Sequence, residues 1–221
     1  MAASRVIPNG LVGDWRLSDE DFLKSFHLPG PDDRNDTLAQ LNPLPREERV
    51  NFDETEHQYH VDGVLVPRSV TGLLHEYVGV DFDAQAAIAT MKSGVFWPEK
   101  RSAFEVDGVP MSDAEIAARW ARNGEVARAR GTHLHFQAEC FLCGHAIEEP
   151  RSPEFTSFLE IFDGAIKERM NVYRVELNLF HCGLRVAGQP DCLCRAPDGS
   201  IIIWDRPPII TLLKARKISE Q

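Results

Sequence analysis

YRVELNLFHCGLRVAGQPDCLCRAPDGSIIIWDRPP, residues Tyr173 to Pro208, is the stretch on which the fold turns, and it reads as three strands. Tyr173–Phe180 alternates, with Val175, Leu177 and Leu179 on one side and Glu176, Asn178 and Phe180 on the other. A turn at His181–Gly183 leads into Leu184–Arg195, and Pro197-Asp198-Gly199 signals the next turn. Ser200–Asp205 follows as a β-branched run. Two carboxylates stand at the ends of apolar strands: Asp191 after Gly188-Gln189-Pro190, and Asp205 after Ile201-Ile202-Ile203-Trp204. An ionised carboxylate beside an apolar run is costly unless it is paired or bound to a cation. Two of them on neighbouring strands can converge on a divalent metal, which prefers oxygen ligands.

Working outward, Val50–Val66 reads as a hairpin with turns at Asp53-Glu54-Thr55 and Asp62-Gly63. Ser69 or Thr71 can cap the helix that runs through Leu73, Leu74 and Tyr77. Phe82 to Met91 is alanine-rich and helical, and Lys92–Pro110 is irregular. Ser112-Asp113-Ala114-Glu115 is a capping box that opens a helix, which Asn123-Gly124 ends or kinks. A second helix then spans Glu125 to Leu142, with Gly144 as its stop. Pro153–Arg169 carries Phe155, Phe158, Leu159, Phe162 and Ile166 at helical spacing, a core stripe. Residues 1–48 are broken repeatedly by proline and glycine and read as an irregular arm without chemistry, with one short helix near Ser18–Phe26. The order predicts an α/β sandwich, a mixed central β-sheet flanked by helices.

A chain of 221 residues with 43% hydrophobic and 26% charged content suits one globular domain with a full core. No apolar run reaches the roughly 20 residues that span a bilayer. The N-terminus lacks the pattern of a secretory signal, so an intracellular location is expected, compartment open. A formal charge of −10 argues against a passive nucleic-acid binder, whose affinity comes from neutralising phosphates. It leaves room for a local basic patch at Arg119, Arg122, Arg128 and Arg130 around Trp120, or equally a solvated helix face. The odd cysteine count disfavours a disulfide framework, and zinc at Cys140, Cys143, Cys192 and Cys194 is a weaker alternative, since the second pair already reads as core.

Glu176, Gly188-Gln189-Pro190-Asp191 and Ile203-Trp204-Asp205, preceded by Gly131-Thr132-His133-Leu134-His135 and Glu139, resemble the PD-(D/E)XK nuclease superfamily, especially its RecB-like exonuclease branch. The resemblance covers residues 50 to 206, with several motifs in the family's order. It implies a restriction-endonuclease-like core in residues 49–221 and a metal-dependent exonuclease that hydrolyses phosphodiester bonds in DNA replication, repair or recombination. It implies Mg²⁺ or Mn²⁺ held by His135, Asp191 and Asp205, with Glu176 and Glu139 completing the catalytic set. Glu139 is four residues beyond His135 and on a helix shares its face. DNA ends would meet Ser69, Thr71, Arg128, Arg130 and Thr132. His133 and His135 also read as ordinary helix residues, and Ser69 and Thr71 as simple caps.

One departure is plain. Where the family carries a lysine two residues beyond the second acidic residue, this chain has Asp205-Arg206-Pro207. The family's following basic helix is also missing from Pro207–Gln221, so the domain reads as C-terminally incomplete. Proline neither activates water nor donates to a ladder; Lys214 or Lys217 from the next element is one replacement, and Arg206 supplies charge but not a general base. The alternative expectation is a catalytically impaired nuclease-fold module that binds metal or nucleic acid without cleaving.

Overall fold

A computed structural model describes residues 5–30, 37–53, 55–79, 81–165 and 170–204. Asp205, Arg206, Pro207, Lys214, Lys217 and Ile166 lie outside the described residues. In chain order the elements begin with β1 (Val6–Ile7), α1 (Asp19–Ser25) and α2 (Thr37–Leu41). The strands β2 (Val50–Asp53), β3 (Gln58–Val61), β4 (Val64–Leu65) and β5 (Arg68–Ser69) follow. Then come α3 (Val70–Val78), α4 (Ala84–Ser93), α5 (Trp97–Lys100), β6 (Glu105–Val106) and β7 (Val109–Pro110). The long helix α6 (Asp113–Leu142) leads to β8 (Ala146–Ile147) and α7 (Pro153–Ala165). Last are β9 (Asn171–Val175), β10 (Leu179–His181), β11 (Val186–Gly188), β12 (Cys192–Arg195) and β13 (Ile201–Trp204).

The architecture is mixed α/β with several small sheets in place of the single central sheet expected. β9, β12 and β13 form one antiparallel sheet, while β11 pairs antiparallel with β10 and parallel with β5. The strand expected over Tyr173–Phe180 is therefore divided, and so is its partner over Leu184–Arg195. Both breaks fall at the carboxylates, Glu176 on one side and Asp191 on the other. The outer turn of this hairpin places Arg185 at φ 50°, and the Asp198-Gly199 turn places Gly199 at φ 86°, as its glycine requires.

Two apolar clusters hold these pieces. The larger joins Leu134, Phe136, Ala138 and Leu142 of α6 to Phe155 and Phe158 of α7, to Val175 of β9 and to Cys192 and Cys194 of β12. Phe141 meets Phe155, Phe158 and Phe162 edge-on at centroid distances of 5.6 to 6.2 Å, an arrangement aromatic rings favour. The smaller cluster packs Val50 and Tyr59 of the β2–β3 hairpin on Ala187 of β11. Gly188 lets α3 come close, because a Cβ there would stand 2.8 Å from Val70 Cγ2.

α6 runs unbroken for 30 residues, through the Asn123-Gly124 pair that was expected to end or kink it. An interior glycine costs about 1 kcal/mol relative to alanine. Ile116 before it and Val126 and Ala129 after it are all buried, so packing on both sides outweighs that cost. The expected capping box is present, with Glu115 Oε2 accepting from the Ser112 amide at 2.7 Å. Gly144, at φ 90°, follows the helix end.

The segment read as an irregular N-terminal arm packs on the rest of the fold among the described residues. β1 pairs in parallel with β8, and Ile7, Val12 and Phe22 are fully buried. Buried Asn9 donates its amide to Glu148 Oε2 at 2.8 Å and its side chain to Pro150 O at 2.9 Å. Thr37 Oγ1 donates to Cys143 O at 2.6 Å, and Asn42 Nδ2 donates to Tyr173 O at 3.0 Å. Arg174 of β9, almost wholly buried, pairs with Glu47 at 2.5 Å and donates to Asn42 O at 3.0 Å. A buried guanidinium needs such partners. Proline and glycine turns therefore break this segment locally without freeing it from the core. Among the described residues, no helix is long and apolar enough to cross a membrane.

Candidate metal centre

The break in the hairpin builds the site. Val175 still pairs with Cys192, and one residue on the Glu176 amide donates to Asp191 O at 3.1 Å. Glu176 then takes φ 44°, in the left-handed region, and the chain leaves the ladder. Gln189 Nε2 donates to Glu176 O at 2.8 Å and fixes the two strands across the gap. A non-glycine residue held in this region is uncommon and accumulates where function imposes it. The result is two carboxylates at one level on adjacent strands.

α6 supplies the third member. His135 Nδ1 lies 3.5 Å from Asp191 Oδ1, and one ligand atom each from His135, Glu176 and Asp191 lies within 4.8 Å of the others. Two ligands on opposite sides of one ion with bonds of 2.1–2.2 Å stand about 4.2–4.4 Å apart. Small side-chain rotations therefore close the group onto one ion. Asp191 is buried and the other two are half-buried, so a cation there balances charge that water reaches poorly. The donor set, one imidazole nitrogen and two carboxylates, fits a divalent ion that accepts mixed nitrogen and oxygen ligands.

The group opens on a cleft of about 400 Å³ lined by His135, Glu139, Glu176, Gln189, Arg128 and Thr132, among others. Arg128, Thr132, His135 and Glu139 follow one another at helical spacing, which puts them on one face of α6. Glu139 is buried on the cleft wall but stands outside the three-residue group. Asp205, expected as a ligand and catalytic residue, lies outside the described residues. Burial, with the charge of Glu176 adding, pushes the Tyr59 hydroxyl up to about 12, so it stays protonated beside the site.

Other expected contacts are placed elsewhere. Arg130 pairs with Asp19 at 2.8 Å and covers the Phe22 ring at 4.9 Å, which ties α6 to the N-terminal segment. Arg119 donates to Ala103 O at 2.8 Å and Arg122 pairs with Glu125 at 2.8 Å, so only Arg128 of the basic group lines the cleft. Ser69 accepts from the Gly72 amide at 2.9 Å as the cap of α3, and Thr71 is exposed in its first turn. Ser69 lines a separate depression of about 370 Å³. His133 is buried edge-on against Phe22, at a centroid distance of 5.9 Å. Cys140, Cys143, Cys192 and Cys194 belong to the apolar core.

Leu28, Pro29, Phe52, His57, Phe136 and Gln189 line the cleft without having been anticipated as site residues. Gln189 carried a legible signal, being adjacent to Pro190-Asp191. Leu28 and Pro29 carried none, because only tertiary packing brings the N-terminal segment to the cleft. No protein-family model, curated protein or solved structure matches the chain.

Proposed function

We propose that the chain is a divalent-metal-dependent nuclease of the RecB-like PD-(D/E)XK type, with a restriction-endonuclease-like core, which hydrolyses phosphodiester bonds at DNA ends. The reading rests on one observation: His135 and Asp191, expected as ligands, and Glu176, expected in the catalytic set, have ligand atoms within 4.8 Å of one another. Mg²⁺ or Mn²⁺ would be held by these residues, with Mn²⁺ better matched to a set that includes imidazole. Such an ion supplies an activated water and offsets charge on the phosphate. Asp191 and Glu176 bind and orient from the hairpin, and His135 from the helix. Arg128 neutralises a phosphate at the cleft mouth, and Glu139 accepts a hydrogen bond from a water held at the helix wall. The cellular setting consistent with this chemistry is replication, repair or recombination.

A second reading is favoured by Pro207, which stands in the lysine position. On that reading the fold binds metal or nucleic acid without cleaving. A cleavage assay in Mn²⁺ on end-labelled single- and double-stranded DNA separates them, using the chain as written, Asp191→Ala and Pro207→Lys. Cleavage by the unaltered chain that Asp191→Ala abolishes supports the nuclease. Activity in Pro207→Lys alone supports the impaired module. Asp191→Ala should weaken Mn²⁺ binding by more than about 100-fold, beyond the range usual for a residue outside the ligand shell. Unchanged Mn²⁺ affinity in that variant would remove the nuclease and leave only a module that binds nucleic acid.

A further inference from the structure

The aromatic pair at the tip of the β2–β3 hairpin has no part in holding metal, yet it lines the same cleft. His57 stacks on Phe52 with centroids 5.6 Å apart and planes inclined by 22°, and Phe52 in turn meets Tyr59 at 4.5 Å. His57 is exposed, and its backbone sits at φ 52°, a conformation that costs a histidine about 1 kcal/mol or more. The β2–β3 turn, in which Asp53 Oδ1 accepts from the Thr55 and Glu56 amides, sets this backbone and leaves the ring facing the cleft. Phe52 and Tyr59 belong to the apolar cluster beneath and fix the pair against the β10–β11 hairpin. Leu28 and Pro29 add apolar wall to the same cleft, and Arg128 adds a cation. A planar ring platform, an apolar wall and a cation beside carboxylates match one kind of ligand. It has a flat face and an attached anion.

We infer that His57, stacked on Phe52, is the platform for an unpaired nucleobase of a single strand whose phosphate points toward Arg128 and the His135–Glu176–Asp191 group. This inference rests on the reading of that group as a metal site acting on phosphodiesters, and it names the substrate as single-stranded. Base stacking on aromatic rings tolerates any base, because every base has a π face. In a duplex those faces are already stacked on their neighbours, so His57 finds a free one only where the strand is unpaired. The cleft, at about 400 Å³, falls within the range of sites that hold one small ligand, such as a single nucleotide unit. His57 also borders the neighbouring depression with Arg68 and Ser69, so a strand passing over it has a continuing path away from the metal group.

Binding of an internally labelled oligothymidylate, followed by fluorescence anisotropy in EDTA with the full chain, tests this without turnover. His57→Asn removes the ring but keeps a residue that tolerates left-handed backbone. It should weaken single-strand binding by about 5- to 150-fold, the equivalent of one stacked base. His57→Tyr should restore it. A strand with abasic residues at both ends should bind the unaltered chain as weakly as the intact strand binds His57→Asn, and a fully paired duplex should not respond to the substitution. Equal affinity of His57→Asn and the unaltered chain for oligothymidylate would overturn the proposal. So would a further drop in affinity for the abasic strand on His57→Asn as large as that for the intact strand, or no measurable single-strand binding. Mn²⁺ titration separates this from the metal reading. Ring-dependent binding without Mn²⁺ uptake removes the metal site and leaves the platform, while Mn²⁺ uptake and cleavage indifferent to His57→Asn do the reverse.

Discussion

His133 and His135 are two residues apart on α6, which turns them about 200° from each other around the helix axis, and they end in different surroundings. His133 is buried against Phe22 of the N-terminal segment, and burial pulls its pKa below the usual imidazole value, opposed by a hydrogen bond with the Asn9 backbone. His135 is half-buried at the cleft, 3.5 Å from Asp191. The same division separates the arginines. Arg130 serves the side of the N-terminal segment and Arg128 the cleft. One helix thus carries a face packed on the N-terminal segment and a face that lines the cleft, and a residue's type says little about which it joins. Position around the axis decides.

The largest test of that division removes the partner of the structural face. Phe22→Ala empties a fully buried site between α1 and α6 and should cost about 3–5 kcal/mol in urea unfolding. Mn²⁺ uptake per folded molecule should be unchanged, because the cleft face keeps its ligands. A loss below about 1 kcal/mol would mean that the N-terminal segment, read from its sequence as an irregular arm, is not part of the core.

The arginines give a smaller, paired effect. Arg130→Ala loses an exposed ion pair and a cation–ring contact, and should cost about 1 kcal/mol of stability without altering oligonucleotide affinity. Arg128→Ala should leave stability unchanged but lower affinity and reduce the slope of affinity against salt by about one contact. The reverse pattern would exchange the two faces.

The third effect is a slope with pH. The folded pKa of His133 is lowered, so its contribution is present above the ordinary imidazole value near 6.5 and is lost as pH falls below it. Urea midpoints at pH 7.5 and at pH 5 should therefore differ less for His133→Gln than for the unaltered chain. An identical pH dependence in both would mean that His133 is not held neutral by this packing.

Much of this was legible in advance because it is local. The capping box at Ser112 and Glu115, the turns at Asp62-Gly63 and Asp198-Gly199, and the phenylalanine stripe of α7 each depend on residues a few positions apart. His135, Glu176 and Asp191 were each singled out beforehand by the family resemblance, but as a different set: the expected ligands were His135, Asp191 and Asp205, and the group that converges takes Glu176 from the neighbouring strand. The passage of α6 through Gly124 was not legible, because a helix breaker yields when buried neighbours on both sides hold the helix. Nor was the left-handed turn of His57, since no glycine marks it.

By itself, then, the sequence determined the caps, the glycine turns, the core stripe of α7 and which residues are candidates for a cation. Tertiary structure decided that Glu176 leaves its ladder at the level of Asp191, that His135 and not His133 meets them, and that the N-terminal segment closes one wall of the cleft. The reason is physical. Periodicity and capping act over a few residues, whereas the choice among faces of a helix, and the bend that aligns two strands, is made by packing between residues far apart in the chain.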